Sequence, residues 1–147
     1  MIEASLNRLE FLTEHIPKLL AALPEDELSA SPAPGKWSKK EILGHLIDSA
    51  TNNHQRFIRG QFEESPVIGY DQNLWNRFSF YRELDSSHLI AFWTVYNQHL
   101  AAILKRIPQE NLEKTCTSTD GRVLPLSFLI VDYVSHLEHH LKQLVNY

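Results

Sequence analysis

Apolar residues recur at helical spacing in four long stretches of the chain, and nowhere is there the sustained alternation of a strand. The first stretch runs from about Ile2 to Ala22, with Leu6, Leu9, Leu12, Ile16, Leu19 and Leu20 on one side. Pro17 falls inside it and predicts a kink there, or a break just before it. The turn-rich segment LPEDELSASPAPGKW follows. The second helix has the clearest start. In GKWSKKEI, Ser38 is an N-cap and Glu41, three residues on, completes a capping box; Trp37 and Ile42 occupy the hydrophobic-staple positions. Ile42, Leu43, Leu46, Ile47, Ala50, Phe57 and Ile58 carry this helix to about Gly60.

A long aromatic segment, QFEESPVIGYDQNLWNRFSFYREL, comes next, with a short helical turn expected near Asn73–Arg77. A connection of this length in a small domain usually has a function of its own. The third helix is capped by Asp85 or Ser86 and runs to about Ile107, on Leu89, Trp93, Tyr96, Leu100, Ile103 and Leu104. TCTSTDGRVLPL then suggests a short hairpin at Asp120-Gly121. The fourth helix starts near Pro125, read as its N1 residue, and continues almost to the C-terminus. Four amphipathic helices and no strand pattern predict an all-α fold, an up-and-down four-helix bundle with a long loop between its second and third helices.

A length of 147 residues fits one domain spanning the whole chain, 1–147. The net charge of −4 offers no basic stripe for nucleic acid. Nor does any apolar run approach the ~18 residues of a membrane span, and the acidic N-terminus lacks the pattern of a signal peptide. A single cysteine, Cys116, excludes an internal disulfide and fits a reducing cytoplasm. No activating neighbour is evident for its thiol, which reads as buried and inert.

Candidate chemistry gathers in the histidines. Three of the eight, His136, His139 and His140, lie within SHLEHHLKQL. Spacing alone says little, because eight histidines give about half an i,i+4 pair by chance. Helical phase says more. With His136 at zero and about 100° per residue, Leu126, Leu129, Ile130, Tyr133, Val134, Leu137, Leu141 and Leu144 cover roughly 20° to 160°. His140 falls inside that arc at about 40°, Gln143 beside it at about −20°, and His139 on the polar face at about −60°.

His136 and His140 can therefore reach one point at the rim of the core. Two imidazoles a turn apart suit a metal ion, which needs at least a third ligand from a facing helix. His45 leads the candidates without excluding the others, because Ser49, Asn52, Asn53 and Arg56 line its side of the second helix next to the core arc. His99 is a weaker candidate. His54 reads as a packed, hydrogen-bonded histidine, and His15 and His88 as surface or capping residues.

GKWSKKEILGHLIDSATNNHQRF, then PVIGYDQNLW, then HLEHHLKQL, together resemble the DinB/YfiT-like superfamily of metal-dependent proteins, in order and over most of the chain, from about Leu23 to Leu144. The resemblance implies a four-helix bundle holding one divalent metal ion, nickel or zinc, through three histidines. By motif these are His45, His136 and His140, and His139 is not a ligand. Many relatives carry a further histidine where this chain has Gly44. The branch it resembles includes bacillithiol transferases and hydrolases. The implied activity is transfer of a small-molecule thiol to an electrophile, in detoxification or stress. The alternatives are a metal-dependent hydrolase and a non-catalytic metal- or ligand-binding bundle. Bundles of this kind commonly pair, so a homodimer is expected, although no residue marks its interface.

Other residues take roles around that site. Asp48, three residues after His45, could orient an imidazole or accept a proton, or could be an ordinary solvated carboxylate. Gln143 could hydrogen-bond a ligand or a substrate. Arg56 lies about 16 Å from His45 along the helix axis; it could hold an anionic part of a thiol cosubstrate, with a surface ion pair as the plainer reading. Tyr70, Asp71 and Trp75 match the family's aromatic segment and are expected at the site entrance. For Trp75 taken alone, core packing of the long loop is the stronger expectation.

Overall fold

The computed structural model describes residues 2–147. Its four long helices are α1 (Glu3–Ala21), α3 (Lys39–Arg59), α5 (Ser86–Leu104) and α6 (Leu126–Leu144). Two short helices, α2 (Glu25–Ser29) and α4 (Gln72–Phe78), sit in the connections before and after α3. The strands β1 (Thr115–Thr117) and β2 (Val123–Pro125) form the antiparallel hairpin before α6. Gly121, with φ +86°, supplies the left-handed turn residue of that hairpin.

The local signals act as their chemistry requires. Ser38 accepts from the Glu41 amide while Glu41 Oε1 accepts from the Ser38 amide at 3.0 Å, so both halves of the capping box are present. Asp85, not Ser86, caps α5 and accepts from the His88 amide at 2.9 Å. Pro125 closes β2 and is the N-cap of α6, one position earlier than the N1 site expected for it. α1 runs unbroken through Pro17. Its buried residues, Leu6, Leu9, Leu12, Ile16 and Leu20, continue on both sides of the proline, so packing of the apolar face outweighs one lost backbone bond.

α1 packs against α5 and α6, and α3 packs against the same two helices. The order around the bundle is thus α1, α5, α3, α6, and the first two long helices of the chain face each other across a diagonal. The connection carrying α2 spans that diagonal, and the hairpin segment spans the other one, from α5 to α6. Trp93, Phe57, Tyr133, Leu9, Leu12, Leu46 and Leu100 fill the centre. Among the described residues, no helix is long and apolar enough to cross a membrane.

Candidate metal centre

α6 buries Leu126, Leu129, Ile130, Tyr133, Val134, Leu137, Leu141 and Leu144, the arc expected from phase. His136 and His140 sit at the edge of that arc, half-buried, and His139 is exposed. Opposite them, the capping box starts α3 so that His45 falls in its second turn, on the side facing α6. His45 is 1% exposed.

The three rings converge through the same nitrogen. His45 Nε2 lies 3.4 Å from His136 Nε2, which lies 3.2 Å from His140 Nε2. Each pair of rings meets nearly edge to face, at 79–80°. These donor atoms all lie within 4.8 Å of one another. Tetrahedral coordination with zinc–nitrogen bonds of usual length sets ligand nitrogens about 3.3 Å apart, so the donor set fits a divalent transition ion. The remote nitrogen of His140 agrees. His140 Nδ1 lies 3.0 Å from Gln143 Oε1, an acceptor, so Nδ1 donates there and Nε2 is the nitrogen turned into the cluster. His45 Nδ1 is buried without a partner. Burial, then the neighbouring His136 and His140, pushes the His45 pKa down to about 4, so its imidazole is neutral at pH 7.

The other predicted residues divide. Asp48 is buried, not solvated, and it does not hydrogen-bond an imidazole. Its Oδ1 accepts from the Tyr81 hydroxyl at 2.5 Å and its Oδ2 is buried without a partner. Burial raises its pKa to about 6, against the lowering effect of the Tyr81 hydrogen bond. Tyr70 packs edge to face against Trp75, with centroids 5.5 Å apart. Burial and the Asp48 charge raise the Tyr70 phenol to about 12. Trp75 is 39% exposed, so it leans on Tyr70 at the surface and is not part of the core. Arg56 donates to Asn53 Oδ1 and to the Ile68 carbonyl, both at 3.0 Å, and makes no ion pair among the described residues. It clamps the long loop to α3. Cys116 is buried and its thiol pKa is raised by burial.

Two aromatic residues enter the site from outside the sequence expectation. The Trp37 ring packs against His45, with centroids 5.1 Å apart, so the staple residue also walls the metal cluster. The Tyr81 ring lies flush on α3 at Gly44, where a Cβ would come within 2.2 Å of it. A glycine beside a site histidine in a helix interior is the one sequence signal of that approach.

The sequence profile of the DinB superfamily matches residues 8–144. This chain belongs to the DinB superfamily. Among its relatives in the superfamily, "Putative metal-dependent hydrolase YfiT" of Bacillus subtilis is 23% identical over 135 residues, covering 90% of this chain and 76% of that protein. The metal-dependent hydrolase BH0277 of Halalkalibacterium halodurans, named with the same qualifier, is 23% identical over 141 residues, 95% of this chain and 82% of its own length. The solved structure of Bacillus subtilis YfiT, described as having an unusual four-helix bundle topology, superimposes with a TM-score of 0.88 at 21% identity, covering 97% of this chain and 83% of that one. A mycothiol-dependent maleylpyruvate isomerase shares the fold with a TM-score of 0.79 at 16% identity, over 98% of this chain and 60% of that one.

Proposed function

We propose that this DinB-superfamily chain is a metal-dependent enzyme that transfers a low-molecular-weight thiol to an electrophile. The observation that carries the reading is the convergence of three imidazoles through Nε2, at 3.2–3.4 Å. His45, His136 and His140 would hold one divalent ion, nickel or zinc. Bound there, such an ion supplies Lewis acidity with its charge undiminished by anionic ligands, which makes a thiol or a water nucleophilic near neutral pH.

The chain's own residues do the rest. Gln143 fixes the tautomer of His140. Trp37 covers His45 and keeps bulk water from it. Asp48 titrates near neutral pH and takes up or releases a proton at Oδ2, the oxygen that Tyr81 leaves free. In the transfer, a sulfur–carbon bond forms, the leaving group departs with its electron pair, and the thiol proton passes to Asp48 or to solvent. The thiol dependence of the structurally similar isomerase supports this chemistry.

A second reading, hydrolysis by activated water, is favoured by the names of the relatives. One assay series separates the two. Zinc- or nickel-loaded protein is given bacillithiol, glutathione or coenzyme A with an electrophilic aryl chloride, and separately a nitrophenyl ester without thiol. Metal-dependent thioether formation is the expected result. Ester cleavage alone would establish the hydrolase, and turnover that chelation leaves unchanged would remove the metal from either scheme.

A further inference from the structure

Next to the three histidines runs an open groove of about 670 Å³, lined among others by Glu27, Lys36, Trp37, Lys39, Asn73 and Gln143. That volume suits a small molecule. Two of its walls are also contacts of the metal cluster. Trp37 has its ring against His45, and Gln143 is bonded to His140 Nδ1. A molecule seated in the groove therefore sits one side chain away from two of the three histidines.

The polar lining has a definite sign. Gln143 must turn its oxygen to the protonated His140 Nδ1, so its amide nitrogen is free to donate, and it donates to nothing among the described residues. The Lys39 ammonium is already engaged by Glu27 Oε1 at 2.7 Å and by the Leu144 carbonyl at 3.0 Å. Lys36 makes no ion pair among the described residues. Its backbone is held in place: the Lys36 amide donates to the Ala33 carbonyl at 3.1 Å, and the Ser31 hydroxyl lies 2.7 Å from the Ala33 carbonyl and 2.5 Å from that of Lys36. With Glu27 and Lys39 cancelling, the lining carries a single uncompensated positive charge and a free amide donor. One ammonium and one N–H match the two oxygens and single charge of a carboxylate better than the double charge of a phosphate monoester.

We propose that this groove binds the carboxylate-bearing end of the small thiol, with Lys36 and Gln143 as its recognition pair; the inference rests on the thiol chemistry proposed above. Gln143 then serves two purposes, holding His140 and contacting the cosubstrate, whereas Lys36 serves only the cosubstrate.

The test uses calorimetry on the zinc-loaded protein with three matched probes: N-acetylcysteine, N-acetylcysteamine, which lacks the carboxylate, and N-acetylalanine, which lacks the thiol. N-acetylcysteine is expected to bind about tenfold more tightly than N-acetylcysteamine. Lys36→Gln should erase that preference while leaving zinc affinity and N-acetylcysteamine binding unchanged. Gln143→Met should weaken both N-acetylcysteine and zinc. Equal binding of the two thiols, or a preference that survives Lys36→Gln, overturns the groove assignment and leaves the thiol reading standing. Lys36-dependent binding of N-acetylalanine equal to that of N-acetylcysteine, with none of N-acetylcysteamine, upholds the groove and removes the thiol reading. No binding by any of the three overturns both.

Discussion

α3 carries two histidines, His45 and His54, and each meets aromatic neighbours on an adjacent helix, but they meet different chemistry. His54 is half-buried near α5. Its Nδ1 lies 2.8 Å from the Tyr96 hydroxyl, and its ring meets His99 edge to face at 5.7 Å. A phenol can donate or accept, so it satisfies an imidazole in either tautomer. His45 faces α6, and its Nε2 looks at two other Nε2 atoms. Three Nε2 atoms aimed at one point form the donor set of a metal ion and not a simple hydrogen-bonded pair. The comparison teaches that a histidine cluster becomes a candidate metal centre through the convergence of acceptors, and that burial and ring contacts alone, which both regions share, do not make one.

Breaking that contrast should have its largest effect on metal content. His45→Ala or His140→Ala is expected to weaken metal binding by roughly 100-fold or more, because each removes a ligand from a set of three. His54→Ala should leave one metal per chain. Elemental analysis of protein purified without a histidine tag reads the outcome, and equal metal in His45→Ala and His54→Ala would dissolve the distinction.

The next effect concerns Asp48, the buried carboxyl on the His45 side of α3, which has no counterpart beside His54. Its folded pKa of about 6 lies above the 3.8 of an ordinary aspartate. The native state thus holds a proton that the unfolded chain has lost between those values. The associated stability is fully present below pH 3.8 and is lost as pH rises through about 6. Asp48→Asn keeps an acceptor for Tyr81 and cannot ionise. In metal-free protein it should be more stable than the parent above pH 6, by at most about 3 kcal/mol, with the gap closing toward pH 4. Urea titrations at pH 5 and pH 7.5 measure the difference, and a gap that does not change with pH would show that the carboxyl is not desolvated.

Much of this centre is legible along one axis. The 3.6-residue period places His136, His140 and Gln143 on one edge of α6 and turns His139 away, because the angle about a helix axis depends only on residue spacing. The capping box sets where α3 begins, and so which turn holds His45. What the period cannot supply is the partner from elsewhere in the chain. Tyr81 arrives from the irregular segment between α3 and α5, and Trp37 folds back over the second turn of the helix it precedes. Neither placement follows from any local repeat. Asp48 shows the cost: from spacing alone it can be a solvated carboxylate or an imidazole's partner, and only the tertiary contact with Tyr81 makes it neither. The diagonal order of the long helices is hidden for the same reason, since amphipathic faces say that helices pack, and not which neighbour each one chooses.

Gly44 tests that tertiary contact directly. A methyl group there would meet the Tyr81 ring at 2.2 Å, so Gly44→Ala must displace the ring and with it the hydroxyl on Asp48. The helix itself gains from alanine by up to about 1 kcal/mol, against a typical overpacking loss of about 1–3 kcal/mol. Net destabilisation is expected, with Asp48 losing its hydrogen bond. A stabilised Gly44→Ala variant would mean that Tyr81 yields easily and that its seat on α3 contributes little.

The smallest expected effect lies on the other side of the comparison. Tyr96→Phe removes the hydroxyl 2.8 Å from His54 Nδ1 and keeps the ring that packs against His54 and Phe92. His54 is only half-buried, so water replaces the lost partner in part and the loss should be about 1 kcal/mol. It appears as a lower urea midpoint with an unchanged slope at pH 7.5. Metal content should not move at all. That null result matters most for the contrast between the two regions, because His54 would then owe its placement to one ordinary hydrogen bond. A change in bound metal would instead show that His54 and His99 communicate with the triad, and the two histidine clusters of α3 would have to be treated as one site.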